Sequence, residues 1–407
     1  MTGAPAVDVA PLRVGPLEVW PPVVLAPMAG ITNAPFRRLC HGFGSAALAD
    51  SGAETGPAGG TGAHGGLFVS EMITARGLAE RNDKTLRMAR FADDEPVRSI
   101  QLYGTDPAAM GEAVRFLTAD ERADHIDLNF GCPVAKVTRK GGGAALPVRR
   151  ALFRDIVRAA VGAAGSTGPV PVTVKLRIGV DDRLTTFLDA GRIAEDEGAA
   201  AVALHARTAA QHYSGRADWR AIAALREVVT AVPVLGNGDI WQAGDALRMV
   251  AETGCDGVVV GRGCLGRPWL FGDLARAFSG RPVPEAPRLA EVVAVLRRHA
   301  HLLADWLTEP VAVRDVRKHV GWYLQGYPVG GEARRRLTAT TSIAALDEEL
   351  DRLAGSAPDM AILPGADAQP RGKTSGPIAV TLPDGWLDAA DDPSPVVSDE
   401  LEAVSGG

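Results

Sequence analysis

The chain has little of what a secreted, disulfide-stapled or membrane-spanning protein needs. It holds four cysteines in 407 residues (Cys40, Cys132, Cys255 and Cys264), and no two form a CxxC pair. Such spacing speaks against a disulfide framework or a structural metal and fits a reduced, cytoplasmic protein. No run of about 18 apolar residues occurs, so no transmembrane helix is expected. The opening MTGAPAVDVAPLRV has no basic segment followed by an apolar core, which excludes an ordinary signal peptide. No GxGxxG follows an early strand-like segment, which weighs against a doubly wound dinucleotide fold.

Positive charge is also scarce overall, with a formal net charge of −6. That total hides a segregation. Residues 359–407 carry nine acidic and two basic side chains, net −7, so the rest of the chain is at +1. Residues 310–340 carry six basic and two acidic side chains, net +4. A local basic face binds phosphate even when the whole chain is acidic.

What is present is a repeated alternation of short apolar runs and amphipathic stretches. Eight strand-like segments fall at 23–27, 67–71, 98–103, 125–130, 172–176, 201–205, 232–235 and 257–260. Several are almost wholly apolar, as parallel strands buried on both faces must be. Helical patterns lie between them, with Pro107 and Pro268 at helix starts and Gly254 at a helix end. Eight such units in about 260 residues predict a (β/α)8 TIM barrel over residues 22–283. Residues 1–21 predict a short hairpin or cap. The glycine-rich stretch 45–66 reads as a solvated insertion or as a lid. Residues 284–358 predict a small helical domain, and the acidic 359–407 a disordered tail in which Ile378, Ala379 and Val380 form an isolated apolar patch.

In such a barrel the active site lies at the carboxyl ends of the strands. Polar residues collect there after nearly every strand. After the fourth come Asn129, Gly131, Cys132 and Pro133, then Lys136, Arg139, Lys140 and three glycines, a loop suited to a polyanion. Lys175 leaves the fifth strand, where a buried cation requires either an anionic ligand or an internal ion pair. Gly236-Asn237-Gly238-Asp239 and Gly261-Arg262-Gly263 follow strands seven and eight, the usual barrel phosphate site. Gln101 ends strand three, where its amide suits the imide edge of a flavin or uracil. Arg177 ends strand five. His205 and Arg207 end strand six, within reach of phosphate, flavin or substrate. Cys132 is either a small buried hydrophobe or a general acid that stays a thiol at neutral pH.

These residues resemble the bacterial tRNA-dihydrouridine synthases, most closely their B-type branch. The matching stretches are APMAGITNAPFR (26–37), VSEM (69–72), QLYG (101–104), DLNFGCPVAKVTRKGGGAAL (127–146), VKLRIG (174–179), HARTAAQHYSGRADW (205–219), GNGDI (236–240), GVVVGRGCLGRPWLF (257–271) and RKHVGWYLQG (317–326). The resemblance implies an FMN-binding barrel, a helical domain that binds tRNA, and NADPH or NADH as reductant. It carries FMN contacts to Pro27, Met28, Ala29, Gln101, Lys175, His205, Asn237, Gly238, Asp239, Gly261 and Arg262. It carries the proton donor to Cys132, with hydride passing from reduced FMN N5 to uracil C6 and the thiol protonating C5. Asn129 would orient the pyrimidine.

Candidate tRNA contacts are Lys136, Arg139, Lys140, Arg177 and Arg207 on the barrel. Arg314, Arg317 and Lys318 share one face of a helix whose Val313, Val316, Val320 and Leu324 face inward. Two other readings compete: a small-molecule flavin oxidoreductase resembling dihydroorotate dehydrogenase, and a non-catalytic RNA-binding barrel. A free pyrimidine requires neither the basic helices nor the KVTRKGGG loop, and a mere binder requires neither Cys132 nor Lys175.

Overall fold

The fold is described from a computed structural model, in which residues 9–50, 62–119, 122–166, 168–388 and 390–395 are described. Half of the glycine-rich insertion, residues 51–61, and the last residues of the tail lie outside them.

Eight parallel strands close into a barrel: Val23–Leu25, Leu67–Thr74, Ser99–Tyr103, His125–Phe130, Val172–Arg177, Ala201–His205, Val234–Asn237 and Gly257–Val260. The last strand pairs with the first through Val258 and Val23, Val259 and Val24, and Val260 and Leu25, so no edge is left open. All eight expected strands are present, with ends shifted by up to three residues. The second runs on to Thr74 across an irregular register between Val69 and Met72.

Outward-facing strand residues such as Val23, Leu25, Ile126, Leu128 and Val258 pack under the surrounding helices in the main core. Inward-facing Val24, Leu67, Ala201, Ala203, Leu235 and Val259 form a second core. The antiparallel pair Leu12–Val14 and Leu17–Trp20 adds Leu12, Val14 and Val19 to that inner core. Gly15 in its turn abuts Pro171, which precedes strand five, so the hairpin plugs the amino-terminal end of the barrel. The opposite end is left as the mouth.

Four helices follow: Leu289–Trp306, Glu309–Tyr323, Gly330–Ala339 and Ile343–Ser356. They share their own core, which includes Val313, Val316, Val320 and Leu324, as the helical spacing predicts. Trp269 of the barrel joins that core and ties the two parts together.

The described part of the acidic tail is irregular. Residues 357–388 and 390–395 form no helix or strand, in keeping with their composition, yet they are laid against the protein as a strap. The physical reason is a few strong anchors. Arg371 is 1% exposed and donates to Leu265 O (3.1 Å), Trp322 O (2.7 Å) and Gln325 O (3.4 Å) at the joint between barrel and helices. Ile378 N donates to Ala210 O (2.8 Å) and Val380 packs against the barrel's core, while the side chains of Ile378 and Ala379 stay exposed. Trp386 is buried, and Arg149 binds Asp392 at 2.7 Å.

Arg371→Ala is expected to destabilise the protein by about 2–4 kcal/mol, since it leaves buried carbonyls without donors. Thermal unfolding checks this, and a detached tail would leave the melting temperature unchanged.

Candidate active site

Cys132 stands just beyond the end of strand four, on the loop that Pro133 turns back toward the mouth. Its own carbonyl accepts from Ala144 N at 3.0 Å. Gly143 lies so close that a Cβ there would sit 2.4 Å from Cys132 O, at a φ of +56°. Only glycine fits such an approach. The thiol is half-buried beside Met72, Tyr103 and Val137. Burial raises its pKa, and the Val134 amide, Arg177 and Lys175 only partly oppose this. It is therefore a protonated thiol at neutral pH.

The loop is held from behind by a chain of side chains. Asn129 Oδ1 accepts from Cys132 N (2.9 Å) and Gly131 N (3.1 Å). Asn129 Nδ2 donates to Gln101 Oε1 at 2.8 Å, and Gln101 Nε2 donates to Asp127 Oδ2 at 2.7 Å. Thr173 donates to the other Asp127 oxygen at 2.6 Å, and His125 Nε2 lies 3.0 Å from the same hydroxyl. Burial pushes Asp127 up to about 6 and His125 down to about 3, against the hydrogen bonds that favour the Asp127 carboxylate. Asp127, Thr173 and His125 are absent from the sequence-based candidates. The available signal was a polar residue at every second position of an otherwise apolar strand. Gln101, expected to read an imide edge, is 1% exposed and committed to Asp127 and Asn129. Asn129, expected to orient a pyrimidine, uses both ends of its amide on Gln101 and the Cys132 loop.

Positive charge gathers beside this chain. His205 is held neutral, its pKa well below the usual value through burial and the nearby Arg177, Lys175, Arg207 and Arg262. Lys175 Nζ donates to Asn237 Oδ1 (3.1 Å), and Asn237 Nδ2 donates to Val259 O (2.7 Å). Burial, then Arg177, pulls Lys175 down to about 8, and burial pulls Arg177 down to about 10. Arg207 Nη2 is bidentate on Asp239 at 2.7 and 2.8 Å, while its buried Nη1 has no hydrogen-bond partner among the described residues. Arg262 stacks over Tyr213 (4.7 Å) and Trp241 (5.1 Å), with Asp239 3.8 Å away. Asp239 is left to balance two guanidinium groups. An orphaned guanidinium nitrogen and excess cations beside Gly238 and Gly261 suit an anionic ligand, as the two-loop pairing predicts. Pro27, Met28 and Ala29 follow strand one on the same face.

The remaining candidates divide. Arg177 was expected to meet substrate, but its guanidinium donates to Gly131 O (2.7 Å), Thr208 O (2.9 Å) and His212 O (3.0 Å) and so staples three loop positions together. Arg207 likewise holds Ser214 O and Gly215 O. Arg139 is exposed, and Lys136 and Lys140 are half-buried, on the segment following Cys132. Arg314 is exposed. Arg317 donates to Thr340 O at 3.1 Å, inside the helical domain. Lys318 donates to Gly30 O, and Glu71 accepts from Gly30 N, so the two clamp the first barrel loop. Burial raises the Glu71 pKa. Among the described residues, no helix is long and apolar enough to cross a membrane, and no group of His, Cys, Asp and Glu could hold a metal ion.

A closed parallel barrel with its thiol, amides and cations gathered at the strands' carboxyl ends defines an enzyme of the (β/α)8 class. The family described as dihydrouridine synthase (Dus) matches residues 24–357. A probable tRNA-dihydrouridine synthase of Mycobacterium tuberculosis (strain ATCC 25618 / H37Rv) is 54% identical over 381 residues, which cover 94% of this chain and 93% of that protein. One from Mycobacterium leprae (strain TN) is 53% identical, with 94% and 100% covered. The tRNA-dihydrouridine synthase B of Xanthomonas axonopodis pv. citri (strain 306) is 36% identical, with 85% and 98% covered. The chain belongs to the dihydrouridine synthase family.

Lys175 yields a signed prediction. Its folded pKa is lowered from 10.5 to about 8, so the charged form is penalised below pH 8 and the penalty fades as pH rises toward 10.5. Lys175→Met should therefore stabilise the ligand-free protein by about 1–3 kcal/mol at pH 7, and by less at pH 10. Unfolding at both pH values checks it.

Proposed function

We propose that this chain reduces uridines in tRNA to 5,6-dihydrouridine, with FMN at the barrel mouth and NADPH or NADH as reductant. The observation that carries the reading is a protonated thiol on a braced loop beside a cluster of cations short of an anion. The cations suit FMN: Lys175 would face the ring edge that becomes anionic, while Arg262, the unpartnered Nη1 of Arg207 and the Gly238 and Gly261 loops would take the phosphate. Bound there, reduced FMN would supply hydride to C6 of the uracil.

The chain's own groups do the rest. Cys132 Sγ gives its proton to C5, so one hydride and one proton saturate the double bond, and water then reprotonates the thiolate. Arg177 and Lys175 favour that thiolate as it forms. Asn129 and Ala144 fix the backbone of Cys132, so the sulfur need not search for its position. A uridine inside folded tRNA cannot reach this depth, so the nucleotide must be extruded into the mouth. Arg139 and Arg314, both exposed, are the cations best placed to take tRNA phosphates. Buried Tyr323 packs between helices and does not stack on RNA. A tRNA substrate places the enzyme in the cytoplasm.

Mapping dihydrouridine in tRNA from cells with and without this protein tests the reaction. Restoring Cys132→Ala to the deficient cells should leave the purified protein yellow with flavin, yet cut dihydrouridine formation by about a hundredfold or more. A full dihydrouridine level in that strain removes Cys132 from the chemistry.

Arg314→Glu should weaken tRNA binding and flatten its dependence on salt without changing the melting temperature. Binding isotherms at two salt concentrations check this. Lys318→Glu is a poorer probe, because it also breaks the clamp on Gly30.

A further inference from the structure

The acidic tail contributes to the site from outside the family's matched region, which ends at residue 357. It leaves the helical domain at Arg371 and crosses toward the barrel mouth. Lys373 O accepts from Arg262 Nη1 at 2.6 Å. Ser375 O accepts from Tyr213 N at 3.3 Å. The strap then reaches Trp386, which is 3% exposed, while Leu387 beside it is 56% exposed. A single large side chain is thus inserted from an otherwise exposed turn.

The indole lands on the loop that follows Cys132. Trp386 Nε1 donates to Ala145 O at 2.9 Å. A Cβ on Gly141 would lie 2.4 Å from the ring, and Gly141 has a φ of +75°. Arg149 closes the far side: its Nε donates to Trp386 O at 3.1 Å, its guanidinium lies 4.5 Å from the ring centre, and it binds Asp392. The clamped loop contains three consecutive glycines, Gly141 to Gly143, which have more backbone freedom to lose than any other residues. Gly143 and Ala144 are the residues in contact with Cys132 O. A path of two short steps therefore joins the tail's indole to the backbone of the thiol.

We propose that Trp386 is a positioning residue for tRNA-uridine reduction: it pins the Gly141–Ala145 loop and so holds Cys132 in its donating position. This rests on the reading of Cys132 as the proton donor. The other three cysteines are buried, so alkylation by iodoacetamide of the FMN-loaded protein reports on Cys132. Trp386→Ala should speed that alkylation about tenfold. It should also slow single-turnover reduction of saturating tRNA by pre-reduced enzyme about tenfold, and leave flavin reduction by NADPH within about twofold. Trp386→Phe keeps the ring in place and should recover most of the tRNA step. Gly141→Ala, which expels the indole from the opposite side, should reproduce the defect.

Unchanged alkylation and turnover in both Trp386→Ala and Gly141→Ala overturn the proposal. So does a fall in both half-reactions together with a lower melting temperature, which marks a merely structural role. Full activity of Cys132→Ala would overturn the proton-donor reading, while the alkylation rate would still decide whether the indole clamps the loop.

Discussion

Uncompensated positive charge at the barrel mouth is the constraint on which the rest of the site depends. Lys175, Arg177 and Arg262 each have a pKa lowered by burial, and all three act on His205 together with Arg207. Gathering such groups away from water is unfavourable unless partners replace the lost hydration. The chain supplies some: Asp239 for Arg207, and loop carbonyls for Arg177 and Arg207. Those carbonyls come from the loops after strands four and six, so the charges also tie the mouth together. The deficit that remains favours any anion that fits and adds to burial in holding the His205 pKa well below its usual value.

The same economy of contacts joins the domains. Gly30, in the first barrel loop, receives a carboxylate from Glu71 and an ammonium from Lys318. The helix that carries Lys318 therefore also touches the loop of Met28 and Ala29. Arg371 does the same at the opposite joint, bonding to Leu265 of the barrel and Trp322 of the helices. The helical domain is thereby tied to the barrel by direct contacts at two places as well as by the chain that links them.

The barrel was legible because its signals are local. Each strand is a short apolar run, each helix has a 3.6-residue stripe, and strand ends carry polar residues. The gathering of Cys132, Lys175 and the loops after strands seven and eight was legible for the same reason, since barrel topology alone brings strand ends to one face. The inner partners were not. Asp127 lies inside a strand, and only closure of the barrel shows that it meets Thr173 of the next strand and Gln101 of the previous one. Arg177 reads as a free cation because its partners are backbone carbonyls, which no side-chain pattern reports, and Arg207 because its carboxylate, Asp239, lies 32 residues away on another loop. The anchors of the strap were illegible because they are single residues, among them Arg371 and Trp386, that bond to backbone carbonyls far away in the sequence.

The chain of amides behind Cys132 has a direction, and one carboxylate sets it. Ionised Asp127 can only accept, so Gln101 must turn its Nε2 toward Asp127 and its Oε1 toward Asn129. Asn129 must then donate with Nδ2, which leaves Oδ1 facing the amides of Gly131 and Cys132. Reversing either amide would set oxygen against oxygen or nitrogen against nitrogen at one end of the chain. The position of the thiol is thus specified twice, from below by a buried charge acting through two amides and from above by contacts on its own carbonyl. A thiol so placed depends on both, because the side chain itself, uncharged and half-buried, has no strong interaction of its own to hold it.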